Sequence, residues 1–156
     1  MVDARIRAAR VEDAGRIAEM ADALNRFEGK PPCPLQADDV VRLGFGDRPL
    51  FSVLIAECAG RAEGYALFYP GYDVESASSG AHLVDLYVET AFRGQGVGRA
   101  LIEAVARASK QRGASWVAWH VMEKNAPGIA FYEAVGAKRE PLLAYHFDRK
   151  ALAALD

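Results

Sequence analysis

The sequence predicts an α/β protein of the α+β kind, a mixed sheet carrying helices on its faces, in one domain over residues 1–156. Three observations predict it. Short alternating apolar runs in the first half are joined by a glycine turn, which is hairpin patterning. Later, strand and helix patterns take turns, which calls for a crossover connection. Finally, 156 residues with 51% apolar and 26% charged positions suffice to bury one core without a metal or disulfide. Hairpins followed by a strand, helix, strand, helix, strand order exclude a fully parallel, doubly wound sheet.

Each element has its own signal. Ala4 to Ala9 alternates Ile6 with arginines, as a short strand does, and Glu12-Asp13 opens a helix whose Ile17, Met20, Ala21 and Leu24 share one face. Pro31, Pro32 and Pro34 fix φ and remove donors, so the stretch from Gly29 to Pro34 is a loop. A short helix follows from Gln36 to Phe45. Phe51 to Cys58 and Glu63 to Tyr69 read as strands turning at Ala59-Gly60-Arg61. The polar run Glu75 to Gly80 reads as a loop, and Ala81 to Glu89 as a strand through Leu83, Val84, Leu86 and Val88. Val97, Leu101, Ile102, Val105 and Ala108 form the apolar face of a helix closed at Gly113. Ser115 to Val121 is then a strand, Pro127 to Val135 a helix stopped by Gly136, and Leu142 to Asp148 a last strand, its edge exposed, before a short helical tail.

A net charge of −2 provides no broad basic field, so no nucleic-acid partner is expected and a small-molecule partner is. The apolar stretch Leu50 to Ala56 is far too short to span a bilayer, and Met1 to Arg5 lacks the apolar core of a signal peptide; a cytoplasmic location away from membranes is expected. Cys33 and Cys58 lie apart without a CxxC, as inert thiols in a reducing compartment do. His82, His120 and His146 have no metal-ligand spacing, so no metal is expected.

The most informative stretch is Arg93-Gly94-Gln95-Gly96-Val97-Gly98-Arg99, between an apolar strand and a strong helix. Three alternate glycines bare the main chain, and a helix start adds unpaired N–H groups and the positive end of its dipole, which together suit a pyrophosphate. Arg93 and Arg99 are placed to add charge at its rim. A dinucleotide fingerprint needs glycine where Arg99 stands, and no Walker lysine run is present.

The string from Leu86 through Arg93-Gly94-Gln95-Gly96-Val97-Gly98-Arg99 to Leu101 resembles the acyl-CoA-binding motif of the GCN5-related N-acetyltransferase (GNAT) superfamily: Gln or Arg, two residues, Gly, one residue, then Gly or Ala, met by Arg93, Gly96 and Gly98. Asn125-Ala126-Pro127-Gly128-Ile129-Ala130-Phe131-Tyr132-Glu133-Ala134-Val135-Gly136 resembles that superfamily's second signature. Phe27-Glu28, Leu43 to Pro49, Gly64 to Tyr69 and Leu83 to Val88 resemble its diamine branch, which acetylates polyamines and thialysine. One departure stands out. That branch has Leu-Glu-Asp where this chain reads Leu83-Val84-Asp85, so its usual glutamate base is absent.

The resemblance implies a mostly antiparallel sheet, acetyl-CoA as co-substrate, a small primary amine (polyamine, diamine or lysine-like) as acceptor, and a homodimer. It implies direct attack through a tetrahedral intermediate, main-chain pairing of Leu86, Tyr87 and Val88 with pantetheine, a pantetheine contact at Asn125, and Tyr132 as the acid protonating the thiolate. An alkyl ammonium, with a pKa of about 10.4, must shed a proton before it attacks. Strand alternation puts His82 and Val84 on one face and Asp85 on the other unless a bulge intervenes, which makes His82 a candidate base; His120 and Glu123 are rivals. Among the carboxylates Glu28, Asp38, Asp39, Asp73, Glu75 and Asp85, Glu28 and Asp85 are the preferred contacts for a cationic acceptor. Trp116 and Trp119 fall on opposite sides of their strand. Two alternatives stay open: an acetyltransferase for protein lysines or N-termini, and a silent acyl-CoA sensor, the latter motivated by Val84.

Overall fold

The computed structural model describes residues 3–155, and the chain divides into two compact units at Met122/Glu123. The first unit is a five-stranded sheet in the order β1 (Ala4–Ala8), β2 (Ser52–Cys58), β3 (Arg61–Asp73), β4 (Ser78–Val88), β5 (Trp116–Ala118). Neighbours are antiparallel from β1 to β4, and β5 runs parallel to β4. This is the mixed sheet that the patterning predicts, mostly antiparallel as the resemblance implies.

Helices α1 (Ala14–Phe27) and α2 (Ala37–Gly44) cover one face, and α3 (Val97–Gln111) covers the other. Strand alternation sorts the core accordingly. Val53, Ile55, Tyr65, Leu67 and Tyr87 pack with Ile17, Met20 and Val40, whereas Ala56, Cys58, Ala66, Phe68, Leu83 and Val88 pack with Val97, Leu101 and Val105. Ile17, Met20, Ile55 and Leu101 have no exposed surface, and burial of each such side chain contributes about 1.5–3 kcal/mol. Burial also pushes the Cys58 thiol upward, and Cys33 and Cys58 are both free. Arg7 ties three segments together: its Nη1 reaches Asp13 and its Nε reaches Glu57, both at 2.7 Å, joining β1, the turn before α1, and β2.

The β2–β3 hairpin closes through Ala59 (φ 49°) and Gly60 (φ 77°). Two successive left-handed residues give the mirror-image turn whose twist matches the strands. The loop expected over Glu75 to Gly80 shrinks to a turn, because β3 continues to Asp73 and β4 begins at Ser78. Asp73 permits this, its carboxylate accepting from the N–H groups of Glu75 and Ser76. The strand expected from Ser115 to Val121 is confined to Trp116–Ala118.

In the second unit, α4 (Ala126–Ala134) and α5 (Arg149–Ala153) form. The last strand expected over Leu142 to Asp148 does not: no strand is present there among the described residues, and the Leu142 N–H bonds locally to Glu140 O. Alternating apolar side chains suit a strand, but a strand also needs main-chain partners. Leu142, Leu143, Tyr145 and Phe147 are left 72, 82, 88 and 70% exposed.

β5 lies beside β4 only because glycines make room. A Cβ at Gly80 would fall inside the Trp116 indole, and one at Gly71 would sit 2.7 Å from His82 and 2.8 Å from Trp116. Gly80→Ala should therefore destabilise the protein by about 1–3 kcal/mol, read by chemical denaturation. Adding Trp116→Leu should recover part of that loss, because the two sites share one space.

Candidate active site

The glycine-rich stretch leaves β4 through a 3-10 turn at Thr90–Phe92 and reaches α3 at Gly96, the helix N-cap. Gly94 (φ 72°) and Gly96 (φ 86°) are both left-handed, and nothing lies within 4 Å of where either Cβ would be. The glycines thus serve main-chain conformation and an open approach rather than internal packing. The first intrahelical bond runs from Ala100 N–H to Gly96 O, so the N–H groups of Val97 and Gly98 precede the helix's own bonding ladder. Left-handed glycines next to a helix N-terminus fit a diphosphate. Gln95 donates from Nε2 to Ala91 O at 2.8 Å and steadies the turn from within. Arg99 lies in the first turn of α3 and approaches Glu103 at 3.9 Å.

Arg93 is engaged within the fold. Its Nε donates to Val88 O at 2.8 Å, and its guanidinium lies 4.7 Å from the Phe27 ring centroid and 5.4 Å from that of Tyr87. It folds back over the end of the sheet and joins the C-terminus of α1 to β4. Tyr87 continues this chain, donating to Glu89 Oε2 (3.0 Å), while Glu89 Oε1 accepts from Arg16 (2.7 Å). Burial, then the Glu89 carboxylate, pushes the Tyr87 phenol upward.

β5 pairs with β4 only over Gly80–His82, so Leu86, Tyr87 and Val88 have no strand on that side among the described residues. An open main-chain edge of this kind can accept an extended amide-bearing ligand.

The decisive local feature is a β-bulge. Leu67 pairs with Asp85 and Phe68 with Leu83, which leaves Val84 as an extra residue, 53% exposed. Regular alternation would separate His82 from Asp85. The bulge instead puts both on the α1 and α2 face, His82 opposite Tyr69 and Asp85 opposite Leu67. Asp85 Oδ2 accepts from the hydroxyl of fully buried Tyr65 at 2.7 Å. Desolvation raises the Asp85 pKa most, the Tyr65 hydrogen bond lowers it, the Glu28 charge raises it, and Lys30 lowers it. Glu28 is half-buried and paired with Lys30. The two carboxylates preferred from sequence, Glu28 and Asp85, are thus neighbours.

His82 is flanked by two rings, Tyr69 at 5.2 Å and Trp116 at 5.1 Å. Trp116 occupies this face, whereas Trp119 packs against the α3 side. His120 and Glu123 are exposed. Asp39 and Asp73 are engaged as caps: Asp39 accepts from Gln36 N–H and Arg42, and Asp73 closes its hairpin turn. Asp38 and Glu75 are exposed. In the second unit, Asn125 is the N-cap of α4 and accepts from Gly128 N–H at 3.0 Å, and Tyr132 lies on α4 with its ring 5.3 Å from Phe131. Among the described residues, no group of three or more His, Cys, Asp or Glu side chains is placed to hold a metal ion. No helix among them is long and apolar enough to cross a membrane. Tyr65 and Lys30 were not legible as site residues, because the contact between Tyr65 and Asp85 is diagonal across two strands and depends on their register.

A mixed sheet whose fourth strand parts from the fifth beside a glycine-rich helix start is the architecture of the N-acetyltransferases. Residues 17–137 match the acetyltransferase (GNAT) family, and the chain belongs to it. It is an enzyme, an acetyl-CoA-dependent N-acetyltransferase. A mouse (Mus musculus) protein named thialysine N-epsilon-acetyltransferase is 31% identical, over 99% of this chain and 98% of the relative. Among solved structures, an aminoglycoside acetyltransferase from an uncultured soil sample, in complex with sisomicin, has a TM-score of 0.79 at 18% identity, covering 93% of this chain and 95% of that one. The aminoglycoside N-acetyltransferase AAC(6′)-Iy, in complex with CoA, has a TM-score of 0.77 at 20% identity, covering 96% and 97%. At those identities the structures speak for the fold.

Gly96→Ala tests the turn. It should cost about 1–2 kcal/mol for a left-handed alanine, and isothermal titration should show acetyl-CoA binding weakened by about tenfold, or about 1.4 kcal/mol.

Proposed function

We propose that this chain transfers the acetyl group of acetyl-CoA to a primary amine on a small polycationic or lysine-like molecule: a polyamine, a diamine or a thialysine-like amino acid. The observation that carries this reading is the carboxylate pair on the acceptor side, Asp85 beside Glu28, at the strand that leads into the glycine turn. Similarity to the thialysine enzyme over nearly the whole of both chains supports the same substrate class. One N-acetyltransferase domain over 1–156 is part of the proposal, with Met1, Val2 and Asp156 outside the described residues. A cytoplasmic location accords with the two free cysteines, and no nucleic-acid or membrane partner is invoked.

In this reading, main-chain groups of Arg93, Gly94, Gln95, Gly96, Val97, Gly98 and Arg99 hold the diphosphate, and Leu86, Tyr87 and Val88 offer their edge to pantetheine. Asn125 and Tyr132 take the roles their motif implies, a pantetheine contact and protonation of the departing thiolate. Glu28 and Asp85 attract and orient the ammonium, and β4 presents two proton acceptors to it, His82 and Asp85, in place of one at position 84. The free amine then attacks the acetyl carbonyl directly, so no protein nucleophile is needed.

The proposed unit is a homodimer, each Leu142 to Phe147 segment finding its main-chain partner on a second copy. Support comes from the exposed, alternating apolar side chains of that segment.

Three measurements test these proposals. Thiol release from acetyl-CoA over a panel of amines should be fastest with spermidine, simple diamines or thialysine; release only with peptide lysines or protein N-termini would redirect the assignment, and binding without any release would mark a sensor. Tyr132→Phe should lower kcat by about 10²- to 10⁴-fold with acetyl-CoA affinity unchanged. Light scattering should give the dimer mass for the wild type and the monomer mass for a Leu143→Asp, Tyr145→Asp double variant.

A further inference from the structure

We propose that Asp85, rather than His82, takes the proton from the acceptor's ammonium, with Tyr65 as the residue that positions it. The inference rests on the acetyl-transfer reading and assigns one step of it.

The geometry favours the carboxylate. The bulge at Val84 turns Asp85 onto the α1 and α2 face, where the Tyr65 hydroxyl fixes Oδ2 at 2.7 Å and leaves Oδ1 for the substrate. Tyr65 has no exposed surface, so this hydroxyl is shielded from bulk solvent. Burial and the adjacent carboxylate push the Tyr65 phenol far above its ordinary value, which keeps it a donor at every working pH. His82, by contrast, is held between the rings of Tyr69 and Trp116. Its place reads as one wall of the acceptor site.

The charged and titratable groups that act on the pair come from the end of α1 and the loop that follows it. Glu28, at the end of α1, raises the proton affinity of Asp85, Lys30 in the following loop lowers it, and Glu28 and Cys33 both act on Tyr65. Desolvation acts in the same direction as Glu28. A carboxylate raised in this way accepts a proton more readily than an ordinary aspartate, while the hydrogen bond from Tyr65 keeps it ionised enough to serve.

The protons balance. An alkyl ammonium has three N–H bonds and the amide product has one. Asp85 takes the first proton as the free amine forms and returns it to water. After the amine's lone pair has made the C–N bond, the nitrogen sheds a second proton to solvent as the C–S bond breaks. The thiolate is protonated from Tyr132, which is replenished from water, so the net reaction releases one proton.

The test compares the wild type with Tyr65→Phe, Asp85→Asn and His82→Asn. Carbon-13 NMR titration of labelled aspartate carboxyls, with Asp85 identified by its loss in Asp85→Asn, needs no turnover. Tyr65→Phe keeps the ring and removes only the donor to the anion, so the Asp85 midpoint should rise by about one pH unit. With acetyl-CoA and thialysine, the acidic limb of kcat/KM should rise by the same amount. Asp85→Asn should lower kcat/KM by about 10²- to 10⁴-fold, whereas His82→Asn should change KM more than kcat and leave the acidic limb in place. Three results would overturn the assignment: an unmoved Asp85 midpoint in Tyr65→Phe, a near-wild-type rate in Asp85→Asn, or loss of the acidic limb in His82→Asn. A wild type that releases no thiol with any amine, while Asp85 still titrates as described, would defeat the acetyl-transfer reading itself.

Discussion

The extra residue that β4 carries opposite β3 at Val84 is the constraint on which the proposed acceptor side depends. Side chains alternate along a strand, so inserting one residue exchanges the faces of everything on one side of it. Leu83 and Ala81 stay in the core beneath α3, Asp85 and Tyr87 stay beneath α1 and α2, and the mismatch is absorbed at one exposed valine. Without the bulge, either Asp85 would enter an apolar core without a partner or His82 would leave its ring neighbours. The first alternative alone would carry a desolvation cost of several kcal/mol, which the Tyr65 hydroxyl offsets in the observed register.

The cofactor side follows a different logic. The recognition elements proposed for it are main-chain groups, placed by backbone conformation instead of side-chain identity: two left-handed glycines, a helix start, and a strand edge that β5 does not reach. Arg93, the charged residue most prominent in the motif, is spent on architecture and fastens Val88 O beneath the rings of Phe27 and Tyr87. Through Tyr87, Glu89 and Arg16 the same end of β4 is tied to α1. The turn proposed to receive the diphosphate therefore stands on an ion-paired frame whose members need not touch the ligand.

Periodicity made the sheet, its five strands and the three helices of the first unit legible, because each buries a face whose spacing is visible in the chain. The glycine turn was legible too, since glycines on alternate positions have few other uses. What escaped was whatever depends on register or on partners. The bulge leaves no local mark in Leu83-Val84-Asp85, so the facing of His82 relative to Asp85, and with it the Tyr65 contact, could not be read. Leu142 to Phe147 shows the converse: the alternation is present, but no local signal says whether another strand lies beside it. The loop at Glu75 to Gly80 was overextended because polar residues in a hairpin end resemble those of a long connection, whereas Asp73 folds them into a tight turn.

The pair of glycines under Trp116 has a consequence for how this sheet can evolve. Gly71 and Gly80 lie opposite one another on adjacent strands, and the indole fills the hollow that both vacate. A larger residue at either position is compatible only with a smaller one at 116, and a smaller residue at 116 opens a void beside His82. These positions should therefore drift together among descendants of this lineage, and the surroundings of His82 would change in concerted jumps instead of single steps.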